Sequence, residues 1–183
     1  MAEISYTIVC CLLNEEKILK LKFDEFIKET KKLPFKHEVV ICDNNSSDGT
    51  KDLLKNYQKN YDTGFKFIYN EKNLGKGGSI KKAISVTNND YIVIFDIDEY
   101  FLKDLVRANK ILKEDNSIDY LIGNRMGYGT KFIYKINVYG VIILTMLTNL
   151  LFNINLSDIA CGTKIFSRKI YNNFSYKKNH FDY

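Results

Sequence analysis

What the chain lacks narrows the field first. Its 183 residues contain no long low-complexity tract and are 14% aromatic, which argues against a disordered chain. No block of one charge stands out. The 27 lysines and arginines are scattered among 22 acids, for a net charge of +5, so nucleic acid is not the default partner. An anionic small molecule or an anionic membrane surface suits that mild charge equally well. Cysteine is sparse: Cys10, Cys11, Cys42 and Cys161 form no C-x-x-C pair, so ligation of metal by cysteine is not expected and small buried thiols are. Histidine is sparser still, and neither His37 nor His180 has partners for a Ser-His-Asp arrangement. The opening "MAEISYTIVCCLLNEE" puts Glu3 where a basic leader region belongs and has only a short apolar run, so a cytoplasmic location is the expectation.

What is present is an alternation. Apolar runs of strand length, "YTIVCCLL" (6–13), "HEVVIC" (37–42), "FKFIY" (65–69), "YIVIF" (91–95) and "DYLIG" (119–123), are separated by helix-like stretches. In the first of these stretches Ile18, Leu21, Phe26 and Ile27 can share a helical face. Continuous rather than alternating apolar strands indicate an α/β domain with a mostly parallel sheet covered by helices on both faces. The length suits one such domain. In such sheets ligands bind beyond the carboxyl ends of the strands, and the polar clusters of this chain fall there.

The segment from Ile136 to Ser157 carries no charge but is interrupted by Asn137, Thr145, Thr148, Asn149 and Asn153. These fall within about half of the helical wheel at about 100° per residue, leaving a broad apolar face. A core helix, a membrane-spanning helix and a helix lying in a membrane interface all fit, and periodicity favours core or interface. Lys131 and Lys135 precede the segment, and Lys164, Arg168 and Lys169 follow it.

Several constellations could carry chemistry. Asp96 and Asp98, spaced i, i+2 past a strand end, project to the same side of an extended backbone and could offer oxygen to Mg²⁺ or Mn²⁺; alternatively the acids mark a solvated strand end and helix start. Asp43 ends the second strand, where its carboxylate can accept hydrogen bonds from a nucleobase or ribose, while Ser47 and Asp48 suit the cap of a helix beginning near Thr50. Asn14 and Glu15 follow the first strand as site residues or as another helix start. "NLGKGGS" (73–79) reads as a glycine-rich turn with one cation, Lys76. The Walker spacing is missing, and Ile80 stands where a dinucleotide fingerprint needs its third glycine. Such a turn still permits close approach of a ligand, or is simply a surface turn. Asp158, in "LSDIACGTKIFSRK", could be a general base or a turn residue, and Arg125 could bind an anion or face solvent.

Taken together and in order, these motifs resemble the inverting family 2 glycosyltransferases of GT-A fold, above all the dolichyl- or polyprenyl-phosphate mannose and glucose synthases. "IVCCLLNEE" is similar to the family's P-x-Y-N-E-E, with Cys11 for the proline and Leu13 for the tyrosine. "VVICDNNSSDGT" resembles V-V-D-D-G-S-x-D-G-T, with Asn44 for the second aspartate. "NLGKGGSIKKAI", "YIVIFDIDEYF", "GNRM" and "LSDIACGTKIFSRK" resemble its later motifs. The resemblance implies a single catalytic domain over 1–183, expected to be truncated at its carboxyl end, with 136–157 as an interfacial helix. It implies that Asp96 and Asp98 hold Mg²⁺ or Mn²⁺ against the diphosphate of a UDP- or GDP-hexose. Leu13, Asn14, Glu15, Asp43, Lys76, Gly77 and Asp96 would bind that donor. Asp158 and Arg125 would be catalytic, Arg125 and Arg168 would bind the phosphate of a polyprenyl phosphate acceptor, and the protein would sit peripherally on the cytoplasmic face of a membrane. The alternatives are a saccharide or other soluble acceptor, or a non-catalytic fragment that binds the nucleotide sugar. A sugar-nucleotide pyrophosphorylase is excluded, because "LLNEEK" occupies the place of its G-x-G-T-R loop.

Overall fold

A computed structural model describes residues 3–61, 64–97, 102–124 and 135–173. The chain alternates β1 (Tyr6–Leu12), α1 (Glu16–Thr30), β2 (His37–Asp43), α2 (Thr50–Asn60), β3 (Phe65–Tyr69), α3 (Gly75–Ser85), β4 (Tyr91–Ile94), α4 (Leu102–Glu114), β5 (Tyr120–Ile122), α5 (Lys135–Phe152), β6 (Lys164–Ser167) and α6 (Arg168–Asn173). The six strands form one sheet in the order β3-β2-β1-β4-β6-β5. β1 runs parallel to β2 and β4, and β3 parallel to β2, whereas β6 runs antiparallel to both β4 and β5. The register Leu12↔Asp43 and Asp43↔Tyr69 brings the ends of the first three strands to one edge.

Both faces are covered, which is why the central strands carry near-continuous apolar runs rather than an alternating pattern. On one face Ile8, Cys10, Leu12, Val39 and Ile41 pack with Leu19, Phe23 and Phe26 of α1, Leu54 of α2 and Leu105 and Leu112 of α4. On the other, Val9, Val40, Cys42 and Ile92 meet Ala83 and Ile84 of α3. All four cysteines are free thiols.

Two expectations are corrected, and one strand is added. The buried face of α1 is Leu19, Phe23, Phe26, Ile27 and Thr30, and Leu21 is 78% exposed. A stripe through positions 19, 23, 26 and 30 follows the i, i+4, i+7 pattern, and at 100° per residue Leu21 lies on its far side. The glycine-rich run is helical from Gly75 onward rather than a turn. Glycine weakens a helix interior by about 1 kcal/mol, but here the absent side chains let the first turns of α3 press on the sheet, with Gly78 and Ser79 buried. Only Gly75 needs glycine for its backbone, entering the helix at φ 70°. Finally, "KIFS" is a strand, β6, whose pairing with β4 and β5 decides what a four-residue run could not.

Candidate functional site

The polar groups collect at the carboxyl edge of β1, β2 and β4. Asn14, at φ 58°, turns the chain out of β1, and its side-chain oxygen accepts the Ser47 amide at 2.8 Å while its own amide donates to Ser46 Oγ at 2.9 Å. Asp48 accepts the amides of Thr50 at 3.0 Å and Glu16 at 3.2 Å, so one carboxylate serves the starts of α2 and α1 together. Burial alone would raise its pKa; the bonds from Thr50 and Glu16 outweigh that and hold it below the ordinary aspartate value. The two loops after β1 and β2 are thereby joined into one rim.

Behind that rim lies a cleft of about 430 Å³, lined by Cys11, Leu12, Leu13, Glu15, Asn44, Asn73, Gly75, Lys76, Asp96 and Ile97. Its size is that of a small-molecule site. Asp96 follows β4, and its Oδ1 accepts a hydrogen bond from Lys76 Nζ of α3 at 2.5 Å. The first turn of α3 opens on the same space, with Gly75 and Lys76 on its wall. Asn44 ties this helix down: its Oδ1 accepts from Leu74 N at 2.8 Å and Asn70 Nδ2 at 3.2 Å, and its Nδ2 donates to Asn73 Oδ1 at 2.7 Å. Asn70 is itself anchored by Ser79 Oγ at 2.9 Å and Lys82 Nζ at 2.9 Å.

Of the expected donor residues, Leu13, Glu15, Lys76 and Asp96 line the cleft. Asp43 is fully buried, and both of its oxygens lie near the Ser46 amide, at 3.3 and 3.4 Å, so it shapes the turn beneath the rim. Asn14 shapes the rim, and Gly77 sits within α3 without lining the cleft. Asp98 and Arg125 lie outside the described residues. Arg168 is not brought to this edge. It follows β6, which runs antiparallel, so it stands at the start of β4, where its guanidinium donates to Asn89 O at 3.0 Å, Ile84 O at 3.3 Å and Thr87 Oγ1 at 3.2 Å. Desolvation lowers its pKa. Lys169, beside it, faces Asp119 at 3.8 Å. Asn44, Asn73 and Gly75 also line the cleft; they lie within the motifs "VVICDNNSSDGT" and "NLGKGGS" but were not among the residues expected to bind the donor.

Asp158 reaches the same sheet edge from another direction. The loop carrying it runs from α5 into β6, whose first residue, Lys164, pairs with Ile94 at the end of β4. Asp158 is fully buried, and its Oδ1 accepts the Ala160 amide at 3.1 Å. Gly123, at the end of β5, abuts this loop so closely that a Cβ there would lie 2.7 Å from Cys161 Sγ. Helix α5 does not form core. Ile143, Met146, Leu147, Leu150, Leu151 and Phe152 are each at least half exposed, while Thr145 is 5% exposed. Its polar side faces the protein and its apolar side faces out. Among the described residues no helix is long and apolar enough to cross a membrane.

Asp96 offers hard carboxylate oxygens of the kind that Mg²⁺ or Mn²⁺ takes, and the Lys76 ammonium stands on one of them. Among the described residues no three acidic, histidine or cysteine side chains cluster as a complete metal site. A second cavity of about 210 Å³, between α4 and β4–β6–β5, is walled chiefly by apolar residues such as Phe95, Leu105, Leu121 and Ile165, and a charged ligand fits it poorly.

The profile of glycosyl transferase family 2 matches residues 7–174. The chain belongs to this family. Among relatives of the family 2 domain, a dolichyl-phosphate beta-glucosyltransferase of Dictyostelium discoideum is 27% identical over 174 residues, covering 85% of this chain and 52% of that protein. An uncharacterised glycosyltransferase of Methanocaldococcus jannaschii is 33% identical over 118 residues, 63% of this chain and 39% of that one. The chain thus spans about half the length of the curated relatives it matches. A mannosyltransferase from Pyrobaculum calidifontis, solved with GDP-Man and Mn²⁺, superposes with a TM-score of 0.66 at 18% identity, over 94% of this chain and 47% of that one. A glucosyl-3-phosphoglycerate synthase from Mycobacterium tuberculosis, solved with Mn²⁺, UDP and glucosyl-3-phosphoglycerate, gives 0.61 at 17% identity, over 96% and 61%. The fold is GT-A, a mixed α/β architecture with a mostly parallel sheet, as the apolar runs had indicated.

Proposed function

We propose that this domain transfers a hexose from a nucleoside-diphosphate sugar to a polyprenyl phosphate at a membrane surface, inverting the anomeric carbon. The observation that carries the reading is the convergence of Glu15, Lys76, Asp96 and the start of α3 on one cleft at the strand ends. A diphosphate is the ligand this set suits. Lys76 can leave Asp96 for phosphate oxygens, and a helix start favours anions. Asp96 and Asp98 would hold Mg²⁺ or Mn²⁺, which when bound offsets the charge gathering on the departing nucleoside diphosphate. Leu13, on the wall of the cleft, would pack against the nucleoside. Asn14 and Asp43 hold the rim in place, and Gly77, in the first turn of α3, would let the donor approach the helix start closely.

The acceptor phosphate attacks the anomeric carbon from the face opposite the diphosphate. The new C–O bond forms as the old one breaks, and the electron pair leaves with the nucleoside diphosphate. A phosphate monoester has its second pKa at about 6, so it needs no strong base near neutral pH. Asp158 therefore acts chiefly to orient, and Arg125, two residues past Gly123, binds the acceptor phosphate. The dolichyl-phosphate beta-glucosyltransferases among the relatives support a lipid acceptor. So does α5, whose exposed apolar side is suited to lie in a bilayer interface. On this reading the protein sits peripherally on a membrane.

The test is to incubate the protein with labelled UDP-glucose or GDP-mannose, Mn²⁺ and vesicles containing polyprenyl phosphate. Label that partitions into the organic phase only when the polyprenyl phosphate is present supports the reading. Label that is turned over but stays in the aqueous phase assigns a soluble acceptor instead.

A further inference from the structure

We infer that Asn149 is a positioning residue for Asp158, coupling the outward-facing apolar helix to the placement of the acid. The role given to Asp158 rests on the proposed transferase reading; the placement itself rests on geometry alone. Helix α5 ends at Phe152, and Asn153, at φ 51°, turns the chain back along it. The returning loop is then held by side chains of the helix. Asn149 Nδ2 donates to Leu156 O at 2.9 Å, and Leu156 N donates to Asn149 Oδ1 at 2.9 Å, so one carboxamide takes both backbone groups of one residue as a neighbouring strand would. One turn earlier, Thr145 Oγ1 accepts the Ile159 amide at 3.3 Å.

Positions 145 and 149 are i, i+4 neighbours, stacked about 5–6 Å apart on one helix face. They clamp Leu156 and Ile159, which bracket Asp158 in sequence. Thr148, by contrast, bonds back to Leu144 O within the helix and holds nothing else in place. Polar side chains on a helix that otherwise presents isoleucine, leucine and methionine are unfavourable toward lipid, and these two are turned to the loop. The helix that would meet the membrane is therefore also the scaffold that sets the acid, and Asn149 is the joint between them.

Asn149→Ala removes both bonds. Asn149→Asp keeps the shape and the acceptor for Leu156 N but loses the donor to Leu156 O. Hydrogen exchange read by mass spectrometry needs no substrate. In both variants peptides spanning 154–161 should exchange about tenfold faster, with β1 to β4 unchanged. In vesicle assays kcat should fall about 10- to 100-fold for the alanine variant and less for Asn149→Asp, while donor Kd stays within about twofold, because the displacement is confined to the acceptor side. Unchanged exchange at 154–161 in either variant overturns the inference, and so does a loss of donor affinity that matches the loss of kcat. Should the alanine variant not melt cooperatively, Asn149→Asp decides. If the wild type moves no sugar to polyprenyl phosphate, the acceptor reading falls, and the exchange data alone decide whether Asn149 holds the loop.

Discussion

Replacing Asn44 should loosen the wall of the cleft and lower stability and donor affinity together. The side chain is 4% exposed and makes three hydrogen bonds, to Leu74 N, Asn70 Nδ2 and Asn73 Oδ1. Each contributes about 1 kcal/mol net, and a buried partner left unsatisfied costs about 1–3 kcal/mol. Asn70 keeps its bonds to Ser79 and Lys82, and Asn73 is exposed to water, so only the Leu74 amide carries an added penalty. Asn44→Ala should therefore cost about 4–6 kcal/mol, or roughly 8–24 °C in Tm for a domain of this size. Asn44→Asp should cost less, about 1–2 kcal/mol, because it retains both acceptor bonds and only sets an oxygen against Asn73 Oδ1. Differential scanning calorimetry at pH 7 measures these costs, with titration of the donor in parallel. Both variants melting within about 2 °C of the wild type would refute the claim that Asn44 fixes the start of α3.

Other outcomes are expected from the same structure. Phe23→Ala should cost about 3–5 kcal/mol and Leu21→Ala less than about 0.5 kcal/mol, since the first is fully buried and the second 78% exposed; denaturant unfolding separates them, and equal costs would refute the assigned face of α1. Glu16 has its pKa lowered by the Lys20 ammonium and the Gly49 amide, and Asp48 by the bonds that overcome its burial, from ordinary values of 4.5 and 3.8. Stability from these groups is present above those values and lost as pH falls through them toward the folded pKa. Tm should therefore drop from pH 5 to pH 3, and by less in Asp48→Asn. Changing Leu150 and Leu151 together to Asp should abolish flotation with anionic vesicles yet leave Tm nearly unchanged, because both side chains are more than 70% exposed; retained flotation would show that α5 is not the contact.

The first four strands were legible to within a residue because a strand buried on both faces leaves an unbroken apolar run. Glu15, Lys76 and Asp96 were legible as cleft residues for a related reason: in a parallel sheet, the residues past a strand's carboxyl end stand at the binding edge, whereas Leu13 came from the resemblance alone. Other features were hidden because partners distant in sequence decide them. β6 is four residues, and its identity comes from pairing with β4 and β5. Its antiparallel direction carries Arg168 to the far edge, which no reading of "KIFSRK" alone reveals. The glycine run was read as a turn because glycine disfavours helix, yet close packing on the sheet and the anchoring by Asn44 and Asn70 outweigh that preference. The uncharged segment fixed a helix but not its orientation. The burial of Thr145 and the pairing of Asn149 with Leu156 show that its polar side faces inward.

The most direct measurement is titration calorimetry of UDP, GDP and their hexose derivatives, with and without Mn²⁺, into the folded protein and its Asp96→Asn variant. The substitution removes charge with little change of shape, including the charge that the Lys76 ammonium faces. The expected result is saturable binding of one nucleoside diphosphate by the wild type, weakened about tenfold or more both by omitting Mn²⁺ and by the substitution. No binding by folded protein, or binding indifferent to both changes, would contradict the assignment of this cleft to a nucleotide sugar.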